Sequence, residues 1–204
     1  MSDEGVDESK RATLRRFAAL GTAGSIARFA GGAEATGGGS DTRDAIVGYL
    51  EATPGAHFSK LRDDLQLGTG ETQHHLRQLL ESDAIESHED GDYRRFFPTG
   101  RFDDFEKTAL SYLRRDTVRG ILIALLEDPD ATGGDVAASA GVSRPTVSKY
   151  ASELDAAGLL DRTDGYRVVR PETVLLLLVR YADSFDADAE ALARDAASII
   201  AYDP

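Results

Sequence analysis

The chain has 204 residues, which is enough for two domains of modest size or one large one. It contains no cysteine, so disulfides, thiolate metal sites and thiol redox chemistry are excluded. Its 36 acidic and 23 basic side chains give a net charge of −13, whereas a nucleic-acid-binding surface is usually basic. Because concentrated salt screens repulsion between like charges, this acidity predicts a halophilic protein.

Residues 1–40 differ in composition from the rest of the chain. Arg15 and Arg16 precede a mildly apolar stretch at residues 17–26, and a glycine-rich stretch follows. The paired arginines resemble an export signal, but Arg28 interrupts the apolar stretch. The stretch is also shorter than the about 20 apolar residues that a helix needs to span a bilayer. We expect a disordered or weakly helical arm and linker; a degenerate targeting or surface-anchoring segment is the alternative.

Hydrophobic periodicity predicts three helices and a β-hairpin in the next part of the chain. The helices are expected at residues 44–53, 59–66 and 70–82, and the strands at 85–89 and 93–98. The turn between the strands is Asp90-Gly91-Asp92, and an Asp-Gly pair is typical of a hairpin.

The same unit occurs a second time. Residues 67–85 align without a gap with residues 142–160, at an offset of 75 residues, and the same offset relates Ile46 to Ile121. A spacing held over this length indicates one supersecondary unit used twice. The elements expected in the second copy are helices at 117–127 and 134–140, a third helix after Ser143, and strands at 159–162 and 166–169 around Asp164-Gly165.

The third helix of the second copy shows the pattern most clearly. Ser143 is its expected N-cap, and Pro145 suits its first turn because a missing N–H is harmless there. Val147 and Leu154 lie on an apolar face, and short polar or basic residues lie opposite. This pattern is typical of a DNA recognition helix, and an ordinary amphipathic surface helix is the alternative.

The remaining segments are also helical in pattern. Residues 101–115 form an amphipathic connecting helix with Phe102, Phe105, Ala109 and Tyr112 along one face. Two C-terminal helices, at 171–185 and 188–202, carry apolar surface that the two domains do not need for their own cores. That surface predicts a homodimer, with packing inside the same chain as the alternative.

The predicted fold is therefore mainly α with small β-hairpins (α+β). The predicted boundaries are 1–40 for the arm and linker, 41–100 and 116–170 for the repeated domains, 101–115 for the connecting helix and 171–204 for the C-terminal helices.

Both units resemble the winged helix-turn-helix domains of the MarR/ArsR-like superfamily, and the chain resembles archaeal, haloarchaeal-type regulators with two such domains. The stretches that carry the resemblance are GETQHHLRQLLESDAI with the wing HEDGDYRRFFP, and SRPTVSKYASELDAAGLL with the wing DGYRVV. The resemblance covers about residues 41–170. It implies that the third helix of a unit enters the major groove of DNA while the wing contacts phosphate or the minor groove.

By position, the resemblance implies a set of DNA-contacting residues. In the first unit these are Thr69, Glu71, Thr72, Gln73, His74 and Arg77 on the helix. Arg94 and Arg95 follow the turn of the first wing, and at least one of them is expected to reach phosphate. In the second unit the helix residues are Arg144, Thr146, Ser148, Lys149 and Ser152, and the wing counterparts are Arg162 and Arg167. The residue types agree with this, since glutamine pairs with adenine, arginine with guanine, and threonine contacts a thymine methyl.

Acidic residues depart from the pattern in both units. Glu71 near the front of the first helix is expected to repel phosphate, and Asp90, Asp92 and Asp164 acidify the wing tips. An alternative is therefore that one unit reads DNA while the other serves as a dimerisation or interaction module. Because His74, Arg77, Arg94 and Arg95 concentrate in the first unit, that unit is favoured as the reader.

Catalytic and metal-site patterns are missing from the sequence. All four histidines, His57, His74, His75 and His88, fall in the first unit, but no carboxylate spacing completes a metal motif, so they are interpreted as groove-facing or surface side chains. No nucleophile motif, phosphate-binding glycine loop or catalytic carboxylate pair occurs. We expect no enzymatic activity, no metal and no cofactor.

The sequence thus predicts a cytoplasmic, sequence-specific, homodimeric transcriptional regulator that binds double-stranded DNA. A winged-helix protein-interaction module, in chromosome organisation or as an adaptor to the transcription machinery, is the alternative. A membrane-associated regulator using residues 11–30 is a weaker third hypothesis. The pattern specifies neither an operator nor a small-molecule effector, nor whether transcription rises or falls.

Overall fold

The computed structural model describes residue 10 and residues 12–17, 39–91 and 93–199, with side chains up to residue 196. These residues form helices and small antiparallel sheets, which confirms the predicted fold class. They divide into two compact units, Met1–Phe102 and Asp103–Pro204. Residues 31–38 of the predicted glycine-rich linker and wing residue Asp92 lie outside the described residues, whereas Gly39 and Ser40, also predicted as linker, are helical.

The first unit contains the predicted helices and hairpin, with small shifts of their ends. Its elements are α1 (Gly39–Ala52), β1 (Ala56–His57), α2 (Phe58–Asp64), α3 (Thr69–Glu81), β2 (Ile85–Asp90) and β3 (Tyr93–Pro98). Helix α1 begins at Gly39 and is therefore longer at its N-terminus than predicted. The core takes apolar residues from every helix and from the sheet, including Ile46, Leu61, Leu76 and Phe96.

The sheet of the first unit has one strand more than predicted. Its order is β1-β3-β2, because the short strand β1 pairs antiparallel with β3 and places His57 opposite Arg95. Strands β2 and β3 form the predicted hairpin, in which Asp90 pairs with Tyr93. Gly91 has φ of +58°, a left-handed conformation that glycine adopts without strain.

The second unit repeats the order of three helices and a hairpin, and it adds helices before and after them. Its elements are α4 (Asp104–Leu113), α5 (Asp116–Glu127), α6 (Gly133–Ser139), α7 (Arg144–Ala156), β4 (Leu160–Asp161), β5 (Arg167–Val168), α8 (Pro171–Arg180), a 3-10 turn (Ala182–Ser184) and α9 (Ala187–Ile199). The helix predicted to connect the units, α4, lies in the second of them. The wing strands are shorter than predicted, with two residues each.

The two C-terminal helices are largely packed inside their own unit. Helix α8 lies against α4 and α9, and its Val174, Leu177 and Leu178 are buried. On α9, Leu192 is buried. Leu176 is the exception, with 62% of its surface exposed. Much of the apolar surface from which a homodimer was predicted is therefore covered by the same chain. Within the described residues, no helix is long and apolar enough to cross a membrane.

Candidate nucleic-acid interface

Helix α3 of the first unit separates into an inner face and an outer face. Leu76 and Leu79 are buried in the core, as the helical spacing requires. The outer face carries side chains that were predicted to contact DNA and are exposed: Thr69, Gln73, His74 and Arg77.

Thr72 was placed on the DNA-facing side from sequence, and this placement is wrong. Its side chain is fully buried, and its hydroxyl donates a hydrogen bond of 2.9 Å to the carbonyl of Gly68. Thr72 lies four and seven residues before Leu76 and Leu79, so it belongs to the same inner face. It therefore helps to hold the first turn of α3.

The carboxylate of Glu71, expected to repel phosphate, is already bound within the unit. Its Oε2 accepts hydrogen bonds from the backbone N–H of Gly68 at 3.2 Å and from Lys10 Nζ at 2.9 Å. Partial burial would raise the pKa of Glu71, but these two hydrogen bonds outweigh it and hold the pKa below its ordinary value. Glu71 therefore caps its own helix as a paired carboxylate.

The two adjacent arginines of the first wing have different environments. Arg94 has 54% of its side chain exposed, and its guanidinium carbon lies 5.8 Å from the centre of the Phe96 ring. Arg95 has only 3% exposed; its Nε donates to Asp90 Oδ2 at 2.6 Å, and its Nη1 donates to the carbonyl of Gly55 at 3.0 Å. Successive residues of a strand point to opposite faces of the sheet, so the two arginines lie on different faces, and only Arg95 is enclosed. The predicted phosphate contact is therefore wrong for Arg95.

An open groove of about 430 Å³ runs between α3 and β3 in the first unit. Four apolar and three polar side chains line it: Phe58, Leu76, Leu80, Phe96, Gln73, Arg77 and Arg94. The groove brings two of the predicted helix residues together with the exposed wing arginine.

Two of the four histidines are structural rather than surface residues. Nδ1 of His57 caps α2 by accepting from the backbone N–H of Lys60 at 3.3 Å, and its ring lies 5.2 Å from that of Tyr93. His75 is buried, and its Nδ1 has no hydrogen-bond partner. Burial lowers the pKa of both side chains, helped by Arg95 at His57 and by His74 at His75. No group of three metal-ligating side chains occurs among the described residues.

Helix α7 of the second unit begins as the sequence predicted. The hydroxyl of Ser143 accepts from the backbone N–H of Thr146 at 3.3 Å, and Pro145 lies in the first turn, so the predicted N-cap is confirmed. Val147 and Leu154 are buried on the inner face. Of the predicted DNA-contacting residues, Thr146 is half-buried, and the following are exposed: Arg144, Ser148, Lys149 and Ser152.

The basic side chains around α7 are exposed, and two of them, Arg162 and Arg144, also make local contacts. Nη1 of Arg162, at the end of β4, donates to the Ser152 hydroxyl at 3.0 Å and so ties the wing to the helix. Arg144 lies against Gly134, where a Cβ would come within 2.6 Å of its Nη2. Arg167 on β5 is exposed. The predicted wing arginine and helix residues are therefore accessible within this unit.

Sequence reasoning missed three partnered cations: Lys10 at Glu71, Arg95 at Asp90, and Arg119 in the second unit. Arg119 is 3% exposed; it donates to the Leu113 carbonyl at 2.8 Å and to carboxylates of Asp116 and Asp186. The alternation of a strand could have indicated that Arg94 and Arg95 face opposite sides. Nothing in the local pattern indicated the pairing of Lys10 with Glu71 or of Arg119 with Asp186, because these partners lie 61 and 67 residues away.

Comparison with known protein families agrees with this geometry. Residues 40–110 match the model of an N-terminal helix-turn-helix (HTH) domain, and residues 114–161 match a winged helix-turn-helix DNA-binding domain. The chain carries two helix-turn-helix domains in tandem. The tandem winged helix-turn-helix organisation inferred from the sequence is therefore confirmed.

One archaeal relative supports the resemblance to regulators. An uncharacterized HTH-type transcriptional regulator of Methanocaldococcus jannaschii is 28% identical over 131 residues, which cover 64% of this chain and 33% of that protein. The tandem helix-turn-helix chain thus spans about a third of that relative's length. No solved structure matches this chain.

Proposed function

We propose that this tandem helix-turn-helix chain is a DNA-binding transcriptional regulator that acts without catalysis in the cytoplasm. The observation that carries the proposal is that, in each unit, the third helix has an exposed polar and basic face beside an exposed wing arginine. Both domain matches and the relative's printed description support it.

In the first unit, the proposed base-reading residues are Gln73 and Arg77, which lie four residues apart on the exposed side of α3. A glutamine amide can pair with adenine and an arginine with guanine in the major groove. Arg94 borders the same groove and is the proposed phosphate contact of the wing. Thr69 and His74 are exposed and complete the proposed surface.

In the second unit, the proposed base-reading residues lie on the first turns of α7. Arg144, Ser148 and Lys149 are exposed there, and Lys149 Nζ lies 3.8 Å from Glu153 in a weak surface pair that DNA phosphate can replace. Arg167 and Arg162 are the proposed phosphate contacts of this wing. Thr146 and Ser152 lie on the same helix and remain candidate contacts.

The burial of Arg95 changes the balance between the two units. The first unit was favoured as the reader because its basic residues are concentrated, but Arg95 is bound inside the fold. The second unit exposes basic residues on both its helix and its wing. We therefore propose that both units bind DNA, with base contacts from both recognition helices.

The test is a pair of double variants, Arg77→Ala with Arg94→Ala and Lys149→Ala with Arg167→Ala, titrated against a labelled duplex of mixed sequence over a series of KCl concentrations. Each lost phosphate contact should reduce the slope of log affinity against log salt by about 0.9. Arg101→Ala, an exposed arginine after the base of the first wing, is the matched control. Unchanged affinity and slope in both double variants would contradict the proposal.

Sequence specificity needs a separate measurement, because phosphate contacts carry no sequence information. We expect selection from a random duplex library to recover one recurring motif with the wild type. The Gln73→Ala variant should bind the motif more weakly while its affinity for mixed-sequence DNA changes little. Recovery of an unbiased library would leave only non-specific binding.

We further propose that the chain acts as a homodimer, as expected for a regulator of a palindromic site. The structural support for a dimer contact is Leu176 on α8, which is exposed while the neighbouring apolar residues are buried within their own unit. Multi-angle light scattering should give twice the chain mass for the wild type, and Leu176→Lys should shift the species toward the monomer. A monomeric wild type would contradict this part of the proposal.

A protein-interaction module is the second candidate function, and the net charge of −13 favours it. Under this hypothesis the wings contact a partner protein. The first wing carries acidic side chains such as Glu89, which is 75% exposed and lies beside Arg94. The wild type would then fail to bind duplex DNA at every salt concentration at which it is folded.

A further inference from the structure

The described N-terminal residues form a helical segment that packs on the first unit. Leu14 and Phe17 lie against the hydrophobic core of that unit, and the Phe17 ring meets the Tyr49 ring edge-on with 5.2 Å between centroids. Lys10 Nζ lies 2.9 Å from Glu71 Oε2. Lys10, Leu14 and Phe17 are spaced by four and three residues, so they share one side of the helix. One side of this segment is therefore committed to the domain.

The segment starts at the end of α3 that is expected to meet DNA. Glu71 lies in the first turn of α3, and the N-terminal residues of a recognition helix are those that contact base edges. Arg15 and Arg16 are exposed. At a rise of about 1.5 Å per residue, they lie within roughly 9 Å of Lys10 along the helix axis. Two exposed guanidinium groups thus lie on the same short segment as Lys10, which is bound to the first turn of the recognition helix.

We propose that residues 10 and 12–17, the described part of the N-terminal arm, form an accessory DNA-binding element of the first unit. Lys10 anchors the arm and neutralises Glu71, and Arg15 and Arg16 bind phosphates that flank the site of α3. This inference rests on the proposed DNA-binding function and adds contacts outside both helix-turn-helix matches.

Charge balance explains why such an arm is useful here. Glu71 places a negative charge in the first turn of a helix that must approach a polyanion. The Lys10 ammonium offsets that charge at a distance of 2.9 Å, and the two exposed arginines add positive charge beside it. The arm therefore adds positive charge beside the first turn of α3 in a chain whose total charge is −13.

The packing of the arm favours duplex DNA over a membrane surface as its partner. A helix that lies on a bilayer inserts an exposed apolar face between the lipid headgroups. The apolar side chains of the described arm, Leu14 and Phe17, are instead packed against the core of the first unit. What remains exposed are the arginines, which suit phosphates on a rigid duplex.

Docking of the arm is tested first, without DNA. Trypsin cleaves after arginine, and a helix packed on a domain resists cleavage. Phe17→Ala should therefore speed cleavage at Arg15 and Arg16 several-fold relative to the wild type, while circular dichroism shows the domains still folded. Equal cleavage rates for variant and wild type would show that the arm is not docked and would overturn the proposal.

The DNA contact is tested with Arg15→Ala and Arg16→Ala combined, on a labelled 30-base-pair duplex of mixed sequence. Both side chains are exposed, so the fold should be unaffected. Loss of two phosphate contacts should lower the salt slope by about 1.8 and the affinity by roughly tenfold. Arg101→Ala serves as the control for a lost surface charge outside the arm. Phe17→Ala keeps both arginines but releases them, so it should also weaken binding.

The outcomes separate the arm from the proposed function. Binding by the wild type that is unchanged in the double variant, or reduced only as much as in Arg101→Ala, would overturn the arm and leave the regulator intact. Failure of the wild type to bind any duplex would contradict the proposed function itself. A third outcome is that the wild type binds vesicles containing anionic phosphatidylserine but not DNA, and that the double variant does not bind the vesicles. This outcome would assign the arm to a membrane and overturn the proposal.

Discussion

Arg95 and Arg119 are arginines buried at the edges of the two cores, each with 3% of its surface exposed. A buried guanidinium is tolerated only when its donors are bonded. Each of the two binds a carboxylate and a backbone carbonyl: Asp90 and Gly55 for Arg95, Asp186 and Leu113 for Arg119. These residues therefore hold distant segments of their units together instead of contributing to a DNA-binding surface.

Replacing Arg95 by Ala should lower the free energy of unfolding by about 3–5 kcal/mol, because a buried ion pair is broken and the Asp90 carboxylate stays buried after losing the Arg95 guanidinium. Urea unfolding followed by circular dichroism measures the change. Arg94→Ala, one residue away and exposed, is the matched control and should change stability by no more than about 0.5 kcal/mol. Equal losses for the two variants would contradict the assignment of Arg95 as a structural residue.

A half-buried histidine, His57, and a buried one, His75, should make the first unit sensitive to mild acid. The pKa of His57 and that of His75 are lowered from 6.5, so below that pH the unfolded chain binds more protons than the folded one. Stability should therefore fall as pH drops from about 6.5 toward the lowered values. Charged or titratable groups that act on His75 are His74, Glu71 and Arg43.

Thermal unfolding at pH 7.5 and 5.5 checks this expectation. His57→Asn keeps an N-cap acceptor, and His75→Leu fills the buried site without a proton to titrate. The double variant should lose less stability between the two pH values than the wild type does. The same loss in both proteins would show that these side chains do not control the response.

At the level of single residues, helical spacing indicates which side chains of α3 are buried, whereas the partners of Arg95 and Lys10 are not visible in the sequence. The burial of Thr72 follows from its spacing to Leu76 and Leu79, which is visible in the sequence. The inward direction of Arg95 was not readable, because either arginine of the pair could face the core until the pairing of β3 with β1 is known. The pairing of Lys10 with Glu71 crosses 61 residues and leaves no local signal.

The two recognition helices begin in different ways although they occupy equivalent positions. Helix α7 is capped by the side chain of Ser143. The N-cap of α3 is Gly68, which has no side chain, and its own N–H is bound by Glu71. The start of α3 therefore depends on Glu71, whose charge in turn is balanced by Lys10.

Removing the cap of α7 should be costly. Ser143→Ala should reduce the free energy of unfolding of the second unit by about 1 kcal/mol, because the N–H of Thr146 loses its acceptor. Ser148→Ala, at an exposed position inside the same helix, is the matched control and should be neutral or slightly stabilising. Chemical denaturation distinguishes the two, and similar effects would mean that the cap contributes little.

Periodicity predicted the helices of both units, most clearly where one apolar face is buried, as on α3 and α7. Strand β1 escaped prediction because two residues, Ala56–His57, show no alternation. The second wing is shorter than predicted, since an alternating pattern does not specify how many residues pair. The partner of the C-terminal helices was also not readable, because an apolar helix can pack against its own chain or another.

The acidic composition acts on the whole molecule. With a net charge of −13, the folded chain is opposed by its own repulsion, which salt screens within about 8 Å at physiological ionic strength and within about 3 Å at 1 M. We therefore expect the melting temperature to rise continuously between about 0.1 M and 2 M KCl. Differential scanning calorimetry with sucrose in place of salt is the control, and a melting temperature indifferent to KCl would contradict a halophilic character.

The two wings differ in how firmly they are built. In the first, six-residue strands pair with each other, β1 adds a third strand, and Arg95 joins the hairpin to Gly55. In the described part of the second unit, β4 and β5 pair over two residues. An arginine on a preorganised hairpin loses little conformational entropy on association, whereas one on a short hairpin must be immobilised by its target. A given ion pair with DNA should consequently yield more net affinity at Arg94 than at Arg167.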